Sequence, residues 1–343
     1  MKPIVIDVHA HFTPTALLLE RFDANAAKFK GVKLLRNEKG AALQFRGGEA
    51  RAIMPRLSDL EDRRAWMDKN AIDHQLVGGW VESFGYDLPA QEGLAWSRFM
   101  NECMREALRS EPRFTPLATV PLQDGGLAAD VLSEALDKGF GGAMIGTLPK
   151  GISGNLDDPS LDPFWERASK LHAAIYLHPM TFCGEPRLDD YGLMNAYGRL
   201  EDTSISVSRL LFSGHLLKFP GVKLVLSMGG GTLPYALGRL ARSHENSKGK
   251  LADPRKGFAM MYFDSCVFDA EALEYLVRKA GAQRVMLGSD TPFPMGDPEP
   301  RKVIDNANLT AAQKQEMLSA TAQKVFRVRA DCAASGHPSE HCD

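Results

Sequence analysis

The sequence predicts a (β/α)8 TIM barrel carrying a small β-hairpin insertion after its first strand. Eight short apolar segments recur along the 343 residues. They read as near-continuous apolar runs rather than strict alternation, the pattern of parallel strands covered on both faces. Segments with helical periodicity separate them, and that β–α alternation is what closes into a barrel.

Taken in order, strands are expected at 4–8, 75–80, 115–121, 141–146, 173–179, 222–228, 258–264 and 284–289. Between them helices are expected at 91–110, 125–138, 163–171, 205–217, 232–245, 270–280 and 310–327. The stretch joining the first two strands is too long for a plain crossover. Residues 32–36 and 41–46 flank Asn37-Glu38-Lys39-Gly40, a turn sequence with glycine available for positive φ, so a hairpin is expected there. A charged helix over 56–70 leads back to the second strand. From about 330 the chain turns small and polar, which reads as a loose tail. Its Cys332, His337, His341 and Cys342 fit a frayed terminus better than a metal cluster. The domain reading is one barrel over 1–330, with the insertion at about 13–70, and a flexible tail over 331–343.

Bulk properties exclude several classes. A chain this long buries a large core. Its net charge of −2, with both signs interspersed, offers no nucleic-acid surface. No apolar run reaches membrane-spanning length, and the N-terminus enters a strand without signal or transit features. Five scattered cysteines, an odd number, fit a reduced, cytoplasmic protein.

In this fold chemistry sits at the C-terminal ends of the strands. His9 and His11 close the first strand, and residues i and i+2 of a strand share a face, so the two imidazoles project together. His178 ends the fifth strand and Asp290 follows the eighth. Three imidazoles and one carboxylate make a Zn²⁺-type set, with a position left for water or substrate. Mn²⁺ is the alternative ion, at one per chain. Against this stand the ordinary readings, a pair of surface histidines and an aspartate that caps a helix. His74 and His172 precede strands, at the wrong end for chemistry. His215 and His244 fall on helices, where a surface or helix-end role is expected.

Asp7-Val8-His9-Ala10-His11, Leu177-His178-Pro179, Gly229-Gly230-Gly231 and Leu287-Gly288-Ser289-Asp290-Thr291-Pro292-Phe293-Pro294 resemble the amidohydrolase superfamily. The nearest branch is the amidohydrolase-2 group, like α-amino-β-carboxymuconate-ε-semialdehyde decarboxylase. Phe22-Asp23-Ala24-Asn25 and Pro121-Leu122-Gln123-Asp124 extend the likeness over nearly the whole chain. The resemblance implies a metal-dependent, usually dimeric barrel that often removes CO₂ from unsaturated or aromatic carboxylic acids. It implies His9, His11, His178 and Asp290 as metal ligands, with His178 and Asp290 also serving catalysis. It places Arg51 and Arg239 on the carboxylates of a small substrate, Arg239 reaching across a homodimer interface. A guanidinium suits that work because its fork matches a carboxylate, although a single arginine is more often merely solvated.

One position departs from the resemblance. Met228 stands where the family has a histidine that acts as acid/base, and a thioether shuttles no proton. Met228 also makes that wall of a substrate pocket apolar. Three readings follow. The first is a lyase that decarboxylates an aromatic or muconate-like acid. The second is a hydrolase or hydratase of an amide, lactone or C=C substrate, with Asp290 as base. The third is a catalytically impaired metal-binding homologue.

Overall fold

The first strand, β1 (Ile6–His11), is buried at every position and runs straight into the site. It is followed by α1 (Thr15–Asn25), then β2 (Val32–Asn37), β3 (Gly40–Phe45) and β4 (Arg51–Ala52). Next come α2 (Leu60–Lys69), β5 (His74–Gly78), α3 (Ala90–Ala107), β6 (Phe114–Ala118), α4 (Gly125–Asp137) and β7 (Gly142–Gly146). The chain continues through α5 (Asp162–Lys170), β8 (Ala174–His178), α6 (Arg199–Phe212), α7 (His215–Lys218), β9 (Lys223–Leu226), α8 (Leu233–Asn246) and α9 (Pro254–Phe258). It ends with β10 (Tyr262–Asp264), α10 (Ala270–Ala280), β11 (Val285–Met286), α11 (Arg301–Asn306), α12 (Ala311–Gln315) and α13 (Thr321–Val325). This computed structural model describes residues 4–37, 40–150, 154–180 and 185–329. Glu38 and Lys39 of the expected turn, and the expected tail with Cys332, His337, His341 and Cys342, lie outside them.

Eight strands form one sheet in the order β1-β5-β6-β7-β8-β9-β10-β11, every pair parallel. The two edge strands meet. Val8 N donates to Leu287 O at 2.9 Å, Asp290 N to His9 O at 2.7 Å and His11 N to Thr291 O at 2.8 Å. With the Ala10–Thr291 bridge these bonds nearly close the barrel, so the end of β1 lies against the turn that carries Asp290. β2, β3 and β4 form a separate antiparallel sheet, the expected hairpin with one additional short strand. No helix among the described residues is long and apolar enough to cross a membrane.

Local chemistry sets the element ends. The carboxylates of Asp59, Asp124 and Asp269 accept backbone N–H groups at the starts of α2, α4 and α10, and Thr310 with Gln313 forms a capping box on α12. Several expected boundaries move for the same reason. The strand expected over 258–264 is only Tyr262–Asp264, because Asp253 caps α9 and Pro254 opens it. β1 runs through His11 rather than stopping at 8, and β9 stops at Leu226, which leaves Met228 on a turn. The helix expected over 205–217 begins six residues earlier, at Arg199, and breaks at Gly214.

His215 corrects another expectation. It opens α7 but is 4% exposed, wedged between the rings of Trp165 and Phe219. His74, 3% exposed, meets the Thr115 hydroxyl at 2.8 Å. Burial pushes both imidazoles down to about 4, and at His74 the charges of Arg329 and Arg113 add to it. Below about pH 6.5 the unfolded chain binds protons that the folded chain refuses until about pH 4. Stability is therefore expected to fall as pH drops through that window, by up to about 3 kcal/mol for each histidine. Urea unfolding at pH 7 and pH 4.5 measures the loss. His74→Gln and His215→Gln should each lose less than the parent between the two, and parallel losses in all three proteins would exclude this origin.

Candidate metal centre

The site is built from the end of β1 outward. β1 pairs with β5 as Asp7↔Gln75 and then as Ala10↔Val77, so β1 carries one extra residue between Asp7 and Ala10, the stretch that holds His9 and leads to His11. Such a bulge re-aims the side chains that follow it. The buried Asp7 carboxylate pins it. Oδ1 accepts from His9 N (3.0 Å) and Ser289 N (3.1 Å), and Oδ2 from Gln75 Nε2 (2.8 Å) and Ser289 Oγ (2.6 Å). Arg63, also buried, donates to Gln75 Oε1 at 3.3 Å and to the His11 carbonyl at 2.8 Å. Burial pushes the Asp7 carboxyl above its ordinary range, against the pull of these hydrogen bonds.

The three site imidazoles are oriented alike. His9 Nδ1 donates to Asp264 Oδ2 (2.7 Å), His11 Nδ1 to Gly79 O (3.0 Å) and His178 Nδ1 to Pro179 O (2.8 Å). Each partner can only accept, so each Nδ1 carries the proton and each Nε2 presents a lone pair. His9, His11, His178 and Asp290 are brought together, their ligand atoms all within 4.8 Å of one another. Asp290 Oδ1 lies 3.3 Å from His9 Nε2 and 3.2 Å from His11 Nε2. All three Nε2 atoms and Asp290 Oδ1 are buried without a hydrogen-bond partner among the described residues. One such atom costs about 1–3 kcal/mol. Four of them aimed at one point form a cradle for a cation, and the donor set fits a divalent ion of the Zn²⁺ or Mn²⁺ type.

The protein's own charges agree with that use. Burial holds the proton affinities of His11 and His178 below the ordinary value. At His9 burial acts the same way, but the charge of Asp290 and the hydrogen bond to Asp264 outweigh it and raise the affinity well above normal. Burial likewise opposes ionisation of Asp290, yet His9 beside it keeps the carboxyl well below the usual range. A field that draws a proton to this point also draws a metal cation, which displaces the proton on binding.

Asp264 escaped the reading of the sequence. Fully buried at the end of β10, it accepts from Tyr176 Oη (2.7 Å), Gly229 N (2.9 Å) and Cys266 N (3.1 Å) as well as from His9. The signal was available, since β10 ends in aspartate at the same barrel face as the histidine-bearing strands. A carboxylate behind a ligating imidazole fixes its tautomer and tilt. Asp264→Asn keeps the shape but turns an amide N–H₂ toward incoming donors. Metal affinity, read by competition with a chelator on folded protein, should fall roughly 10- to 100-fold. An unchanged affinity would limit Asp264 to packing.

On the Asp290 side of the cluster opens a cavity of about 300 Å³, lined in part by Asp290, Met228, Cys266, Phe268, Leu200 and Met295. Met228, Phe268 and Asp290 all hold left-handed backbone, with φ of 52°, 59° and 60°. Strain of this kind is costly for non-glycine residues and collects at functional sites. The glycines after Met228 answer to space: a Cβ on Gly231 would lie 2.4 Å from Leu200 O, and one on Gly229 would lie 2.5 Å from a Val267 methyl. The two expected substrate arginines lie on β4 and α8. Arg51 sits on β4, ion-paired with Glu49 (3.0 Å) and Glu82 (3.3 Å). Arg239 is exposed on α8 without an ion pair among the described residues, and neither arginine lines the cavity.

A nearly closed (β/α)8 barrel with three imidazoles and a carboxylate converging at its strand ends defines the class, a barrel with a metal-binding group at the C-terminal ends of its strands. The chain belongs to the amidohydrolase family, whose model matches residues 6–328. It is 29% identical over 291 residues to a 2-amino-3-carboxymuconate-6-semialdehyde decarboxylase of Dictyostelium discoideum, covering 82% of this chain and 80% of that one. It is 27% identical over 303 residues to a gamma-resorcylate decarboxylase of Polaromonas, covering 80% and 90%. Among solved structures, 5-carboxyvanillate decarboxylase from Sphingomonas paucimobilis shares the fold, with a TM-score of 0.77 at 24% identity over 95% of this chain and 100% of that one. A dihydroxybenzoic acid decarboxylase from Polaromonas, solved with bound manganese, has a TM-score of 0.74 at 22% identity, covering 94% and 96%.

Proposed function

We propose that this chain is a metal-dependent decarboxylase of a small aromatic or muconate-like carboxylic acid. The observation that carries the reading is the group of four ligand atoms without a hydrogen-bond partner among the described residues, one of which, on Asp290, belongs to the lining of a largely apolar cavity of about 300 Å³. His9, His11, His178 and Asp290 would hold one Mn²⁺ or Zn²⁺. When bound, that ion stabilises negative charge developing on the substrate. Decarboxylation replaces a carbon–carbon bond with a carbon–hydrogen bond, so a proton must reach the carbon that CO₂ leaves. Asp290 lines the cavity and, ionised at rest, is the carboxylate we assign to take that proton from water and pass it to the carbon. His178 holds the opposite side of the cluster, its ring fixed by the Pro179 carbonyl. Met228 has no proton to give, and its thioether with Phe268 and Met295 excludes water from the face of an aromatic ring.

The test is CO₂ release by metal-loaded protein across hydroxylated and amino-substituted benzoates. Release from at least one of them is expected. Silence across the panel together with turnover of a lactone or amide would replace the lyase with the hydrolase reading. Arg239, exposed on α8, is assigned to the site of a second copy in a homodimer, with Arg51 as the other carboxylate contact. A chain that sediments as a monomer while fully active would remove Arg239 from that role.

A further inference from the structure

Asp264 does more than stand behind His9, because its second oxygen holds the wall of the cavity. Oδ2 accepts from His9 Nδ1 and from Tyr176 Oη, both at 2.7 Å. Oδ1 accepts from Gly229 N (2.9 Å) and Cys266 N (3.1 Å). Those two amides belong to the turns after β9 and β10, and they find no other acceptor among the described residues. Met228, Gly231, Cys266, Val267 and Phe268 of the same two turns line the cavity. The turns also pack on each other, since the nearest atom to a Cβ on Gly229 would be the Val267 methyl.

The other two imidazoles are anchored differently. Their Nδ1 atoms meet the backbone carbonyls of Gly79 and Pro179, neither of which lines the cavity. His9 alone is joined through a side chain to the segments that shape it. Those segments need holding. Met228, Gly229 and Phe268 have φ of 52°, 61° and 59°, backbone that the methionine and phenylalanine side chains disfavour. An N–H bonded to a carboxylate is a strong tether, and it is only as fixed as the carboxylate. A cation at His9 Nε2 polarises the ring and strengthens its Nδ1–H as a donor, which fixes the rotation of the Asp264 carboxylate.

We infer that Asp264 is a positioning residue that couples the metal centre to the cavity wall: an ion on His9, His11, His178 and Asp290 sets the turns of Met228 and Phe268, and the set wall in turn tightens the ion. This rests on the metal-centre reading and on no particular reaction. Hydrogen exchange of the Gly229 and Cys266 amides is measured with and without Mn²⁺ or Zn²⁺, whichever binds the parent more tightly. The saturating ion is expected to slow both amides about tenfold or more in the parent. Gly126 and Leu127, whose amides bond Asp124 at the start of α4, report any global change. Asp264→Asn keeps an oxygen for the two wall amides but turns N–H₂ toward His9. At its own saturating ion concentration the slowing should shrink to less than about twofold. Coupling of this kind is reciprocal. Gly229→Ala presses on Val267 and on no metal ligand, yet it should weaken the ion by about fivefold or more. Gly231→Ala disturbs the same wall against Leu200 O without touching a partner of Asp264, and it should change ion affinity less than about twofold. Equal slowing in the parent and Asp264→Asn, no slowing in the parent, or equal effects of the two glycine variants on the ion would each overturn the coupling. A parent that binds neither ion would overturn the metal-centre reading itself, and the coupling with it.

Discussion

His178→Ala is expected to empty the metal centre and to stop turnover. His178 is 2% exposed, and among the described residues its Nε2 has no hydrogen-bond partner, only the other ligand atoms around it. Alanine removes one of four donors and leaves a space that a mobile water fills poorly. The loss should exceed the roughly 10- to 100-fold that follows from disturbing a group behind a ligand. Elemental analysis should find about one divalent ion per chain in the parent and almost none in the variant. CO₂ release should fall by roughly 10³-fold or more, since catalytic groups in such sites supply about 10²–10⁴ each. Full occupancy in a folded His178→Ala protein would remove His178 from the ligand set. Asp264→Asn gives the internal scale, because it disturbs His9 and keeps all four donors.

The ligand cluster was legible because it depends on local facts. His9 and His11 share a face by the period of a strand, and His178 and Asp290 follow buried apolar runs whose ends can be read in sequence. What was missed depends on contacts between distant residues. Asp7 looks like any strand residue until Ser289, 282 positions away, is seen to donate to it twice. His215 heads a helix of only four residues, too short for periodicity to reveal that Trp165 and Phe219 enclose it. The pairing of Arg51 with Glu82 likewise joins residues far apart in sequence, and similarity does not reveal it. α9 was hidden differently. Asp253-Pro254 is a clean helix start, but the apolar residues from Phe258 onward read as one long strand.

Met228→His is expected to slow this chain's own reaction by about tenfold or more. The substitution tests chemistry and leaves the backbone alone, because histidine tolerates the left-handed conformation that Met228 holds at φ 52°. It places a ring with two nitrogens against a wall shared with Val267, Phe268 and Met295. An unpaired polar atom against an aromatic substrate costs about 1–3 kcal/mol, which in a rate is roughly 5- to 150-fold. The new imidazole also competes for the centre that His9, His11, His178 and Asp290 define. If position 228 were instead a vacated acid/base, the same variant would gain about 10²–10⁴-fold in CO₂ release. The two accounts differ in sign, so one variant assayed on the best substrate of the panel decides between them. A rate within twofold of the parent would show that Met228 lines the cavity without touching the substrate, and the task of excluding water from its ring would pass to Phe268 and Met295.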